Sequence, residues 1–163
     1  HNEVTRVPLL VYLPNAISGR IGGLVSLPDL MPTILELAGV DIPQSVQARS
    51  LVPLIQGRAT QGHDLVVTSA PFEEVGNVSK TVDDQGRETV EISPSTITDG
   101  TWDLLYATQD APVELYRTVE DPTHKQNVFS RHRDAAATLH AKFVNWLERT
   151  GTKDKFLKPR RKL

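Results

Sequence analysis

The run Val7-Pro8-Leu9-Leu10-Val11-Tyr12-Leu13, closed by Pro14, constrains this chain more than any other stretch. It is long enough for a strand and too short for a typical helix. It shows little in–out alternation, which marks a strand buried on both faces, as in the centre of a parallel sheet. Such a strand needs parallel neighbours and a covering layer. The segment from Ser26 to Gly39 predicts a helix suited to that layer. Ser26 and Asp29 have capping-box spacing, with Asp in place of Glu or Gln, and Pro28 falls in the first turn. Ile34, Leu35 and Ala38 recur at helical spacing, and Gly39 can close the helix at positive φ. Pro32 has no N–H to offer the carbonyl of Pro28, which predicts a kink or a 3₁₀ turn there. Strand, loop and helix make half of a βαβ unit. Apart from Leu65–Ser69 the chain holds few candidates for the remaining strands, so they are expected to be encoded before residue 1.

Further along, Asn15–Gly23 reads as a loop, and Val40–Gln56 as irregular chain with a helical turn near Leu51–Ile55. Leu65–Ser69 is a strand by its β-branched content. From Phe72 to Tyr116 the pattern becomes one of short strands and tight turns, which predicts antiparallel pairing. Val75–Val82 and Glu88–Ile92 flank Asp83-Asp84-Gln85-Gly86. Ser95–Thr98 and Trp102–Tyr106 flank Asp99-Gly100, and Val113–Tyr116 adds one more strand. Arg131–Thr150 predicts a long helix with an apolar stripe of Ala135, Leu139, Phe143, Trp146 and Leu147, ended by Gly151. The basic stretch Lys153–Leu163 is expected to be a solvated tail.

Residue chemistry excludes several functions and points to none. There is no cysteine, hence no disulfide, thiolate nucleophile or Cys-ligated zinc within the chain. The formal net charge of −2 gives no general attraction to nucleic acid or to a membrane surface. No apolar run approaches the ~20 residues of a membrane helix. His1, His63, His124, His132 and His140 have no metal-ligand spacing, and His132 and His140 are expected to be structural or surface residues. Glu73-Glu74 and Asp83-Asp84 put neighbouring carboxylates on opposite faces of a strand. Gly19–Gly23 is too irregular for a phosphate loop, and Asn77-Val78-Ser79 is a glycosylation sequon of low information.

The order of short motifs carries more. Thr5-Arg6-Val7-Pro8-Leu9 runs into an apolar strand. Asp29-Leu30-Met31-Pro32-Thr33-Ile34-Leu35 closes with Ala38-Gly39. Ser50-Leu51-Val52-Pro53-Leu54 is followed by Gly57. Glu114-Leu115-Tyr116 is followed by Asp121-Pro122 and Asn127. Together these resemble, in order and spacing, the C-terminal portion of sulfatases, in the alkaline phosphatase superfamily. The likeness runs from about Thr5 to Asn127, and the terminal helix fits it. It departs at Ala48, where the family often has Gly, and at His124, where it often has Glu.

The resemblance implies an α/β fold, the C-terminal fragment of an alkaline-phosphatase-like architecture. Residues 1–57 would be the last strand and helix of the large sheet domain. Residues 58–150 would be a small domain with a short antiparallel sheet packed by a long helix, and 151–163 a basic tail. It also implies a mechanism. A formylglycine made from Cys or Ser in a C/S-x-P-x-R motif is hydrated, and one hydroxyl attacks the sulfate sulfur. Calcium or a similar divalent ion polarises the sulfate oxygens, and cationic side chains stabilise the developing charge. No C/S-x-P-x-R occurs here, so no catalytic or metal-binding residue carries over. His1, nearest to where the family has its active-site lysine, is the one substrate-binding candidate; a spacer role is its plainer reading. The expectation is a parent enzyme acting on small-molecule or glycan sulfate esters, its calcium and formylglycine held upstream and none by this chain, which alone is inactive. Neither nucleic acid nor membrane is expected as a partner. The alternatives are a phosphonate or phosphate ester hydrolase of the same superfamily, and a non-catalytic binding or assembly module. The Phe72–Ile92 insertion is the expected place for substrate choice, since surface loops on a rigid scaffold carry specificity.

Overall fold

A computed structural model describes residues 5–14, 19–69, 78–82, 85, 88–92, 94–108 and 112–163, the backbone alone for 78–82 and 88–92. The chain divides into two compact units, one of Val7–Val66 and one of His1–Arg6 with Val67–Leu163.

In the first unit a 3₁₀ turn, Leu27–Asp29, leads into helix α1, Leu30–Leu37. The tight turn precedes Pro32 and does not fall on it. The carbonyl of Pro28 receives no N–H from Pro32, so this turn closes through shorter bonds, Asp29 N to Ser26 O at 3.0 Å and Leu30 N to Leu27 O. The exit is a Schellman motif: Val40 N donates to Leu35 O, Gly39 N donates to Glu36 O, and Gly39 takes φ +69°. The expected turn of helix near residue 53 is α2, Val52–Ile55, with Leu51, Val52 and Leu54 buried.

The opening segment stands without a partner strand: residues 7–13 pair with none among the described residues, and Leu10 and Tyr12 are 95% and 87% exposed. The expected strand at Leu65–Ser69 is engaged elsewhere: strand β1, Val66–Thr68, pairs with the strand Ser95–Thr98. Helix α1 likewise turns apolar residues outward. Pro32 and Thr33 are buried, while Leu27, Met31, Ile34 and Leu37 are exposed, Ile34 by 64%.

In the second unit β2 (Val78–Val82) and β3 (Glu88–Ile92) form an antiparallel hairpin, Val78 opposite Ile92 and Val82 opposite Glu88. Of the expected turn between them only Gln85 is described, and Phe72–Asn77 lie outside the described residues. Strands β4 (Ser95–Thr98), β5 (Trp102–Tyr106) and β6 (Glu114–Arg117) extend β1 into a sheet of order β1-β4-β5-β6. The β4–β5 turn is set by Asp99. Its Oδ1 accepts Thr101 N and Trp102 N, both at 3.1 Å, and Gly100 takes φ +86°. Burial raises the Asp99 pKa, but the hydrogen bond from Lys142 and the two backbone N–H groups outweigh it and hold the carboxyl below its ordinary value. Lys142 Nζ, 3.0 Å from Asp99 Oδ2, ties the turn to the long helix.

That helix, α3, spans Arg133–Arg149. Its buried stripe is Ala136, Leu139, His140, Phe143 and Leu147. Ala136 replaces the expected Ala135, and His140 joins the core. The helix covers the sheet face that carries Trp102, Leu104 and Tyr106. His132 sits 5.0 Å from the Trp102 ring, and His140 sits 4.8 Å from Tyr106. Ile97, Leu104 and Leu115, register partners across three strands, are fully buried. The basic tail is only partly solvated: Lys153, Lys155, Lys158, Arg161 and Lys162 are exposed, but the segment is folded. Asp154–Leu157 forms helix α4, Lys158–Arg161 a 3₁₀ turn, and Arg160 is 1% exposed. Its guanidinium donates to Phe156 O at 2.8 Å, so a residue counted as surface charge is built into the fold. No helix among the described residues is long and apolar enough to cross a membrane.

Candidate functional site

The recurrent motifs gather polar side chains at two places, one in each unit. In the first unit everything converges on Asp29, 1% exposed at the start of α1. Its Oδ2 accepts Ser26 N at 2.8 Å, and its Oδ1 accepts Arg49 N at 3.1 Å. His63 Nε2 lies 2.8 Å from Oδ2. Thr33, one turn on, donates from Oγ1 to Asp29 O at 2.6 Å and accepts Leu51 N at 2.8 Å. The Asp and Thr of the D-x-x-P-T sequence are thus a clamp. They close the helix entry and fix the approach of the Ser50–Leu54 element. His63 reaches them because Gly62 lets two chain segments touch. His63 N donates to Leu24 O at 2.8 Å, and a Cβ on Gly62 would collide with the Leu24 backbone.

In the second unit the E-L-Y, D-P and N residues fix the chain leaving β6. Asn127 Oδ1 accepts Leu115 N at 3.1 Å and Phe129 N at 2.9 Å. Asp121 accepts Lys125 N and Gln126 N, and these bonds hold its carboxyl below its ordinary value. Tyr116 donates to Glu114 Oε2 at 2.6 Å. Burial, that bond and the carboxylate's charge push the phenol far above its usual range. Arg6 Nη2 donates to Thr118 O at 3.0 Å, just beyond β6.

The loop after β6 also drives His124 against the second face of the sheet. Asp103 and Tyr116, opposite each other on β5 and β6, receive it. The imidazole stacks on Tyr116 with centroids 4.4 Å apart, and its Nε2 lies 2.9 Å from Asp103 Oδ2. Thr118 Oγ1 donates to Asp103 Oδ1 at 3.0 Å. His124 pays for this placement with φ +52°, uncommon for a side-chain-bearing residue, and its Nδ1 is buried without a partner among the described residues. A His–Asp pair of this kind orients an imidazole, yet both members are sealed from solvent and no nucleophile meets them. It serves packing.

An open depression of about 500 Å³ lies beside this loop, lined in part by Arg117, Glu120, Asp121, Lys125, Gln126 and His132. Its charges are mixed and partly spent. The Arg117 guanidinium lies 4.1 Å over the Trp102 ring, and its Nε is 3.4 Å from Glu120. The lining can hold polar groups but offers no nucleophile paired with a base.

Of the five histidines, His63, His124, His132 and His140 each contact a carboxylate or an aromatic ring, and His1 lies outside the described residues. Among the described residues no three His, Asp or Glu side chains converge as a metal site. The described residues thus offer no donor set that fits calcium, and the chain has no C/S-x-P-x-R from which a formylglycine could be made. The links of His63 to Asp29 and of His124 to Asp103 cross 34 and 21 residues, and no local signal announces them.

Comparison with known proteins agrees with this architecture. The family model of the N-sulphoglucosamine sulphohydrolase C-terminal domain matches residues 1–150, and the chain belongs to that family. Arylsulfatase K of Xenopus laevis is 43% identical over 58 residues, 35% of this chain and 11% of that protein. An endo-4-O-sulfatase of Bacteroides thetaiotaomicron is 42% identical over 57 residues, 33% of this chain and 11% of that protein. A crystal structure of a putative sulfatase from B. thetaiotaomicron shares the fold, with a TM-score of 0.57 at 20% identity over 76% of this chain and 24% of that one. The chain thus spans a small part of the length of each relative.

Proposed function

We propose that this chain is the C-terminal portion of an enzyme that hydrolyses sulfate esters, and that the reactive centre is built by other parts of that enzyme. The match of residues 1–150 to the sulfatase family carries the reading. On it, residues up to about 57 complete the large domain and the following residues form the small one. The formylglycine and divalent ion of the family's mechanism are held outside these residues. What this chain contributes is scaffold: the Asp29–Thr33 clamp and the Asp103–His124 pair fix loops against helix and sheet. The outward apolar residues of α1 and of the 7–13 segment suit a face covered by the rest of the large domain. The family's N-sulphoglucosamine and the endo-4-O-sulfatase relative favour a sulfated sugar as the substrate class.

The test is release of inorganic sulfate from an aryl sulfate and from a sulfated glucosamine, each with added calcium. The 163-residue chain alone is expected to give no turnover above buffer, and the complete enzyme to release sulfate from the sugar. Turnover by the chain alone, or a complete enzyme that cleaves phosphonate esters in preference to sulfate esters, overturns the reading.

A further inference from the structure

The family match ends at residue 150, and the chain beyond it docks. After the turn at Gly151, φ +72°, the segment packs Leu157 and Arg160 out of solvent, 4% and 1% exposed. What receives it is a small aromatic cluster on β5 and α3. The Tyr106 phenol donates to Lys162 O at 2.6 Å. The His140 ring is hydrogen-bonded to the backbone of Arg160. His140 is 5% exposed, with Tyr106 set edge-on to it and Phe143 behind. Its Nε2 is buried with no hydrogen-bond partner among the described residues. A neutral ring suits this site: one N–H donates to a carbonyl, and Nε2 carries only a lone pair. A protonated ring does not. Nε2 gains a buried N–H with no acceptor in reach among the described residues.

We propose that residues 151–163 form a latch which neutral His140 holds closed and protonated His140 releases, so that mild acid frees the C-terminal segment. Burial lowers the His140 pKa below its ordinary value of 6.5, and the hydrogen bond to Arg160 opposes that shift only in part. The released segment leaves His140 in water at its ordinary value, so the open state binds more protons than the closed one. The closed state is fully favoured above 6.5 and is lost progressively as pH falls below it. Among the described residues, the titratable side chain facing the ring is Tyr106 from β5, and the segment itself meets the ring through the Arg160 backbone. Burial pushes the Tyr106 phenol up, so it stays a donor throughout this range. A surface tie in parallel, Arg161 to Glu148 at 2.9 Å, is solvent-exposed on both sides.

Hydrogen exchange on the intact protein, read on peptides covering 154–163 and corrected for intrinsic rates, tests the latch. Exchange in this segment is expected to rise by up to about tenfold for each pH unit below 6.5, while the sheet core stays protected. His140→Asn, which keeps a donor near the Nδ1 position and does not titrate, is expected to flatten that dependence. Glu148→Gln is expected to leave it unchanged. The His140 ring, followed by its proton chemical shifts in the unmutated protein, is expected to titrate with the same midpoint as the release. Segment exchange that does not change with pH, an acid response that survives in His140→Asn, or a ring that titrates apart from release overturns the proposal.

Discussion

Asp29→Ala is expected to destabilise the protein by about 3–5 kcal/mol. The carboxylate is almost fully buried and accepts from three donors on separate segments: Ser26 N, Arg49 N and His63 Nε2. Alanine leaves these donors facing a small void with no acceptor, and an unmet buried donor costs about 1–3 kcal/mol. The loss is cooperative, because Thr33 bonds the Asp29 carbonyl and also holds Leu51 N. Asp29→Asn keeps one acceptor oxygen and is expected to recover part of the loss. Urea unfolding measures both: the midpoint falls, most for alanine, while the slope is unchanged. A midpoint unchanged in Asp29→Ala would mean that the clamp does not hold the fold.

Asp103→Ala is expected to have an effect of similar size, about 3–5 kcal/mol, on the second unit. Asp103 is buried in the middle of β5 and binds Thr118 Oγ1 and His124 Nε2. Its loss leaves an imidazole buried with neither nitrogen partnered, since Nδ1 has no partner among the described residues to begin with. It also removes the contact that helps keep His124 at φ +52°, a backbone state costing of order 1 kcal/mol or more. The loop from Thr118 to Val128 is therefore expected to lose hydrogen-exchange protection before the sheet does. Asp103→Asn is expected to be milder. An Asp103→Ala protein with wild-type stability and full loop protection would remove the pair from the account.

How much of this was legible depended on how far the deciding interaction lay along the chain. The helices at residues 27–37 and 133–149 and the hairpin around Asp99-Gly100 were readable from capping, periodicity and turn chemistry, which act within a few residues. The motif order revealed the family. What each motif does was hidden, since Asp29 meets Arg49 and His63 only after folding. His124 stood out only as a departure from the family's usual Glu; its partner Asp103 sits on another strand, and nothing near it marks a positive φ. In the C-terminal segment charge content correctly predicts exposure for Lys153, Lys155, Lys158, Arg161 and Lys162 but not for Arg160, which satisfies its guanidinium in part on a carbonyl one helical turn away and buries its length. Residues 7–13 have the composition of a central strand, but no described strand of this chain pairs with them. No candidate catalytic equipment was legible because the chain has no C/S-x-P-x-R, and among the described residues no three His, Asp or Glu side chains converge.

The central claim is that the motifs in this chain are architecture and that the chemistry is done elsewhere in the enzyme. Thr33→Val in the complete enzyme tests it most directly, since valine keeps the shape and removes only the hydroxyl that links Asp29 O to Leu51 N. Thermal unfolding and kcat/KM for sulfate release, normalised to folded protein, are read on the same samples. The account predicts a stability loss of about 1–3 kcal/mol with kcat/KM within about twofold of wild type. A fall in kcat/KM of about tenfold or more at unchanged stability would contradict it.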